Sequence, residues 1–386
     1  MMKTKAILVA MGAALVAGAA TLPLSAAENT SAPAEATVYQ RDLRGQTRVM
    51  GTWATLTVVA GKDQADLAKA TLDEVEAALR GIEAKMSARL EGSELARLNA
   101  APVGQVTPLS PETLFVLREA RSFTPVTGGA FNVTCRPILE MWRLAGQAKA
   151  APTAEALKQA MENTGWEWFE LTDQGAIRKR DGALIDLGGI AKKYGIDQVT
   201  QILLRRKVMG GMIDVGGDIR VVGRRAGGGA WHIGVRNPFS DDPASQMAIV
   251  AIEGGAVCTS GSYERFVVID GKRHSHIVDP RTGQTCDNAP SVTVFGPDAT
   301  SSGLWATALS VLGLEGLKLM PQDAGLEVMI VVGTTPQDSR WYRTPGFDRL
   351  FVKRPVMPPT ELPPGLWGRA SQPAGQGQAA TSPAGR

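Results

Sequence analysis

The spacing of apolar positions gives a few helical stretches set among many short β-type runs. Leu67, Thr71, Val75, Ala78, Leu79, Ile82 and Met86 recur at helical spacing, which predicts an amphipathic helix packed on a sheet and ending near Met86-Ser87. Ahead of it, Val49 to Thr52 and Leu56 to Val59 read as strand, bounded by Gly61. Ser110 as a cap, Pro111 in the first position and Glu112 at the positive end of the dipole open a second helix, predicted to run to about Phe123. Thr153 with Glu155 opens a third, which Gly165 closes. The apolar runs Leu184-Ile185 and Met212 to Val215 each lead into a Gly-Gly pair, and the first is followed by a helix to about Arg205. Further strands are predicted at Trp231 to Val235, Met247 to Ile252, Phe266 to Ile269, Val292 to Phe295 and Val328 to Val332, with a helix from about Ser302 to Leu312. No steady βαβ repeat appears, so the expected class is α+β, with mixed and antiparallel sheets packed against helices.

The ends of the chain differ from its body. Lys3 and Lys5 precede an uncharged apolar run from Ala6 to Leu22, and Ser25-Ala26-Ala27 offers a cleavage site. Residues 1–27 are therefore expected to be a secretory signal peptide, the run being shorter than the roughly 20 residues of a membrane span, with an uncleaved N-terminal anchor as the alternative. Residues 28–45, rich in Ala, Thr, Ser and Pro, are expected to be a mobile leader, and 354–386, rich in Pro, Gly, Ala and Gln, a disordered tail in which Leu366-Trp367 can dock. The folded domain is expected over 46–353. The net charge of +3 loses both Lys3 and Lys5 on cleavage, leaving no field that argues for nucleic acid or an anionic membrane, so neither partner is expected. Cys135, Cys258 and Cys286 match no zinc spacing; they read as buried free thiols, with a Cys258 to Cys286 disulfide as the alternative an exported location allows.

Candidate chemistry concentrates in His274-Ser275-His276-Ile277-Val278-Asp279-Pro280-Arg281-Thr282-Gly283, which places two of the chain's three histidines beside Asp279 and Arg281 on a turn. His274 is expected to be exposed. The segment from Asp186 through Gly188-Gly189 to Lys192 is a Gly-Gly turn feeding a helix, where backbone N–H groups and a lysine can hold a phosphate, although such a turn is often purely structural. Gly216-Gly217 reads as a bulge or turn between strands. No G-x-S-x-G, H-E-x-x-H, G-x-x-x-x-G-K-[ST] or G-x-G-x-x-G occurs.

Taken in order, Met50-Gly51-Thr52, Met86-Ser87 with Ser93-Glu94-Leu95 and Asn99, Gly129-Ala130-Phe131, Asp186 to Lys192, Gly216-Gly217-Asp218, Thr259-Ser260-Gly261 and His276 to Gly283 resemble the ApbE-type FAD:protein FMN transferases from about Val49 to Val332. The resemblance implies a T-fold-like α+β domain, usually exported, to the periplasm or otherwise, and soluble once the signal peptide is cleaved. Such a protein binds FAD and Mg²⁺ and moves FMN onto a Ser or Thr hydroxyl of a membrane-linked or periplasmic acceptor flavoprotein, releasing AMP. It implies His276 as base, with Asp279 and Arg281 holding its loop. It implies flavin-site positions at Met50, Arg89, Ala130, Phe131, Asn132, Asp186, Gly188, Gly189, Lys192, Ser260, His276 and Ile277, and metal contacts at Ala191 and Thr307. Attack on phosphorus needs a deprotonated hydroxyl, a cation on the phosphoryl oxygens and a cradle for the diphosphate, and these residue types can supply them.

Three positions depart from the family pattern. The aspartate usual after Gly-Ala-Phe is Asn132, the aromatic usual three residues after Met86 is Arg89, and the helix that commonly carries Asp and Thr four residues apart has Gly303 and Thr307. With Gly303 a hard cation loses its one anionic protein ligand, and Asp298 reaches in only if the loop is rearranged. The sequence thus admits three readings: an active transferase, a protein that holds or delivers FAD without transfer, and an enzyme that hydrolyses FAD to FMN and AMP.

Overall fold

The computed structural model describes residues 36–287 and 289–367, which lie in one compact unit, Glu35–Arg386. The expected signal peptide and the first part of the expected leader fall outside the described residues. The rest of that leader is ordered: β1 (Ala36–Leu43) pairs along its length with β2 (Ala54–Gly61). Its polar, mostly unburied residues conceal a strand whose stability comes from its partner rather than from its own composition. Val49 to Thr52, expected as strand, is a tight turn instead. Val49 and Thr52 exchange backbone hydrogen bonds of 3.0 and 3.1 Å while Met50 and Gly51 take φ of 53° and 70°.

The long helix α1 (Ala65–Met86) buries the expected face, Thr71, Val75, Leu79, Ile82 and Met86 among it. Ser93 caps the short α2 (Glu94–Ala100), which leads through β3 (Val106–Pro108) to α3 (Pro111–Val126), capped by Ser110 as expected. The next helix, α4 (Arg136–Ala148), was not expected, and with α5 (Ala154–Glu162), capped by Thr153, it forms a hairpin of helices over a small core of its own. Then come β4 (Phe169–Leu171), β5 (Gly175–Arg178), α6 (Ala191–Arg206), β6 (Gly210–Val215) and β7 (Asp218–Gly223). Gly216 and Gly217, with φ of 62° and 86°, form the turn joining these last two strands, as read from the sequence. The remaining elements are β8 (Trp231–Arg236), β9 (Gln246–Ile252), β10 (Gly255–Gly261), β11 (Phe266–Ile269), β12 (Lys272–Ser275), β13 (Ser291–Gly296), α7 (Ala299–Leu312), β14 (Glu327–Val332), β15 (Arg340–Arg343) and β16 (Phe351–Lys353).

An eight-stranded sheet in the order β1-β2-β6-β7-β10-β13-β14-β15 is the frame, and each of its pairings is antiparallel. Adjacent residues point to opposite faces. Val58 and Cys258 join a core with α1 and α6, whereas Val59 and Val257 join a second core under the three-stranded sheet β16-β9-β8. The class is α+β, as the sequence implied. α6 and α7 lie side by side on the helical face and bring their N-terminal turns toward the β6-β7 turn.

The expected disordered tail is corrected in part. Thr360 N–H donates to Trp341 O at 2.9 Å, Trp341 Nε1 donates to Met357 O at 2.8 Å, and Leu366 is buried, so the chain is packed onto the body as far as Trp367. The three cysteines are free thiols. Burial raises Cys135 and Cys286 to about 12 and also raises Cys258 well above its ordinary value, which makes them poor nucleophiles. Among the described residues no helix is long and apolar enough to cross a membrane.

Candidate functional site

The histidine loop is built from behind. Trp142 on α4 donates from Nε1 to Gly283 O at 2.8 Å and stacks on His274, with ring centres 4.7 Å apart and planes at 25°. His274, expected to be exposed, is therefore half-buried against Trp142 and orders the loop without entering the site. Gly283 has φ of 72°, and a Cβ there would lie 2.4 Å from Leu157 Cδ1 on α5. Only glycine fits that backbone and that spacing. Asp279 grips Arg281 through two side-chain bonds of 2.8 Å and accepts the Arg281 N–H at 2.9 Å, closing the turn. These three bonds hold the Asp279 carboxyl below its usual range despite burial, and Ile277 and Val278 are buried beneath. Asp279 and Arg281 thus brace the turn against each other. The arginine stem also passes close to Gly129 and ties this loop to the Gly128-Gly129 turn.

His276 projects from the loop, and its Nδ1 lies 2.9 Å from Arg265 O. A carbonyl only accepts, so Nδ1 carries the proton and Nε2 presents a lone pair. The ring has an exposed rim but sits among dense protein. Desolvation, followed by the positive charges of Arg265, Lys193 and Lys192, lowers its pKa to about 4 against the opposing bond to Arg265 O. At neutral pH it is a neutral base with a fixed tautomer. Arg265 also donates to Gly51 O at 3.4 Å, which brings the Met50-Gly51-Thr52 turn beside it, and Thr52 closes on Gly216. Met50 packs against both main cores, its sulfur close to Gly195.

The turn before α6 is clamped as well. Asn99 binds the backbone of Ile185 with two bonds of 2.8 Å, and Asp186 N–H donates to Val133 O at 2.8 Å. Asp186 Oδ1 accepts from Gly188 N–H at 2.7 Å, while Oδ2 lies 3.5 Å from Arg136. The amides of Ile190 and Ala191 both donate to Leu187 O. The picture of a cradle of free amides therefore needs correction, since three amides of the turn are spent inside it and its positive character comes from Lys192 and Lys193. Lys192 pairs with the buried Asp218 at 2.7 Å, rather than reaching into solvent. Neither Asp218 oxygen has a hydrogen bond of good geometry, so the contact is ionic. Burial raises Asp218, but Lys192 and Lys193 outweigh it and hold the group ionised.

Several residues implied as flavin contacts take structural positions. Ala130 and Phe131 are buried, Phe131 packing edge-on to Phe123 at 5.5 Å and lying against Gly189, so they shape the wall from behind. Asn132 Oδ1 accepts from Thr134 N–H and Oγ1 at 3.0 and 2.8 Å and is occupied as a local cap. Ser260 lies half-buried on β10, and Arg89 is exposed on the loop after α1. Sequence reading missed Lys193, Arg136, Arg265 and Trp142 as parts of this arrangement, and named Asp218 within a motif without giving it a role. The adjacent lysines of Ala191-Lys192-Lys193 were the available signal for the first of them.

Asp214 adds a titratable group beside the β6-β7 turn. Burial chiefly, with Asp218 nearby, raises it to about 7 against the bond from Gly217 N–H and the charges of Lys192 and Arg44. The folded chain holds this proton more tightly than the unfolded one, so the group costs stability as pH rises from about 4 to 7. Asp214→Asn keeps the acceptor for Gly217 and is expected to add about 1–3 kcal/mol at pH 8 and little at pH 4. Denaturant melts at the two pH values check this; an equal change at both would contradict it.

These observations can be set beside known proteins. The ApbE family profile matches residues 50–330. A protein of Vibrio cholerae named FAD:protein FMN transferase is 33% identical over 325 residues, covering 83% of this chain and 93% of its own, and one of Treponema pallidum with the same name is 31% identical over 73% and 82%. The chain belongs to the ApbE family. Among solved structures, the ApbE protein of Thermotoga maritima matches with a TM-score of 0.71 and 29% identity over 81% of this chain and 99% of its own. The flavin transferase ApbE of Vibrio cholerae matches with 0.70 and 28%, over 81% and 100%.

For an ApbE chain, the implied Mg²⁺ can be tested against the residues present. Thr307 Oγ1 donates to Gly303 O at 2.9 Å, so its hydroxyl proton is committed to its own helix. Asp298 caps α7, accepting from Ser301 N–H at 2.7 Å, and Asp197 receives the Ala299 and Thr300 amides at 2.8 Å, so neither carboxylate is turned toward Gly303. The space beside Gly303 holds the stem of Lys193. Among the described residues no three His, Cys, Asp or Glu side chains form a metal-holding group. A lysine stem against Gly303, with the Asp218 carboxylate already paired to Lys192, does not fit a hard divalent cation.

Proposed function

We propose that this chain transfers FMN from FAD to a hydroxyl of an acceptor flavoprotein, releasing AMP. The observation that carries this reading is His276, whose Nδ1 proton is committed to Arg265 O so that Nε2 is a neutral acceptor within electrostatic reach of Lys192 and Lys193. The acceptor's hydroxyl oxygen forms a bond to the FMN phosphorus, and the bond from that phosphorus to the bridging oxygen breaks. AMP leaves with the bridging oxygen, and the hydroxyl proton passes to Nε2. Lys192 offsets phosphate charge, and the Asp186 turn with Arg136 fixes the approach of the substrate. Asp279 and Arg281 act by positioning His276. Ser or Thr is the acceptor residue, because a neutral hydroxyl is the nucleophile that needs such a base. A periplasmic or membrane-linked acceptor follows from the apolar run Ala6 to Leu22 and is part of the same proposal. No step is routed through Mg²⁺, whose donor set this chain lacks.

The test incubates the protein with FAD and an acceptor that another ApbE transferase is known to flavinylate. Stoichiometric AMP and covalently flavinylated acceptor are expected. AMP without flavinylated acceptor would replace transfer with hydrolysis, and FAD binding with no AMP would leave a carrier.

A further inference from the structure

Lys193 is almost fully buried on the first turn of α6, and its stem fills the hollow above Gly303 on α7. A Cβ at Gly303 would lie 2.4 Å from Lys193 Cγ and 2.6 Å from Cε, closer than any real contact. The glycine therefore makes room for the lysine, and the two positions belong to one arrangement. Lys193 Nζ donates to Gly189 O at 3.0 Å and lies 3.8 Å from Asp218 Oδ2, while Lys192 stands closer to the same oxygen at 2.7 Å. Two lysine side chains thus share one carboxylate in a desolvated place, where burial lowers the Lys193 pKa and the charge of Asp218 opposes that shift. A surplus buried positive charge costs several kcal/mol unless an anion answers it. The charge of Lys193 reaches His276, so the surplus lies within range of the proposed base.

We propose that the Lys193 ammonium supplies the cation at the FAD diphosphate, in place of a divalent metal, so that this chain binds FAD and cleaves it independently of metal. The inference rests on the FMN-transfer reading above and deepens it. As the phosphorus–oxygen bond to AMP breaks, negative charge grows on the departing oxygen. Lys193 offsets that charge by a charge-assisted hydrogen bond and keeps its own protons. Gly303 is the complement of this design, because a carboxylate there would collide with the lysine stem and neutralise its charge.

The deciding measurement is FAD affinity, read from quenching of flavin fluorescence in EDTA and in excess Mg²⁺. For the unaltered protein the two Kd values are expected to agree within about twofold, and Lys193→Met is expected to weaken binding about tenfold or more in both media. Circular dichroism and a thermal melt confirm that the variant folds. The paired variant Lys193→Gly with Gly303→Asp exchanges the ammonium for a carboxylate without the collision. It is expected to bind FAD weakly in EDTA and to gain about tenfold with Mg²⁺. Loss of FAD binding by the unaltered protein in EDTA, restored by Mg²⁺, would overturn the proposal, as would a paired variant indifferent to Mg²⁺. If Lys193→Met does not fold, these two measurements decide the matter. Failure of the transferase reading would appear separately, as absence of AMP with acceptor in either medium while the affinities behave as described.

Discussion

His276→Ala is expected to slow AMP release in the presence of acceptor by about 10²–10⁴-fold, the contribution of a positioned base, while FAD affinity changes by no more than a few fold. The ring accepts the acceptor's proton and does not anchor the diphosphate, so the loss should lie in kcat. With a pKa near 4 the base is weak but wholly available at neutral pH. Because the folded value lies below the ordinary 6.5, the folded chain stays unprotonated down to about pH 4. His276 should therefore add no limb to the pH–rate profile between pH 5 and 8. A limb near 7 would belong to Asp214 and should vanish in Asp214→Asn. Retention of a tenth or more of the rate by His276→Ala would remove the residue from the mechanism.

The second large effect is expected far from any reacting atom. Trp142→Ala removes a buried indole, the donor to Gly283 O and the plane beneath His274, and should cost about 3–5 kcal/mol. Activity should fall under conditions where the variant remains folded, because the loop carrying His276 loses its rear support. Trp142→Phe keeps the stacking and loses the hydrogen bond; a smaller cost of about 1–2 kcal/mol would apportion the two terms. If Trp142→Ala melts like the unaltered protein, the loop is held by the Asp279-Arg281 turn alone.

The contrast between these residues shows what the chain reveals in advance. Caps such as Ser110 and Thr153, and the periodic face of α1, act within a few residues of themselves and are legible in order along the chain. The α4 helix escaped because Arg136-Pro137 follows closely on a glycine-rich turn and its apolar face is answered only by α5 and the histidine hairpin. Family motifs place the His276 loop and the Asp186 turn together, but not which atoms remain available. The amides of Gly188, Ile190 and Ala191 look open in sequence and are spent in the fold. Gly303 read alone is a missing ligand, and Lys193 read alone is one more lysine on a basic helix start. Their relation is a distance between two helices, which no local pattern encodes.

The segment after β16 has a bearing on how the molecule behaves among its copies. β15 is the last strand of the large sheet, and its outer side would present unpaired backbone to any passing strand. Thr360 caps Trp341 on that strand, Pro358 and Pro359 alongside can donate nothing to a ladder, and Leu366 fastens the strap to the body. A stretch whose composition suggests dispensable tail is thus a guard on an open sheet edge. Its removal would leave the chemistry in place and make the protein prone to edge-to-edge association.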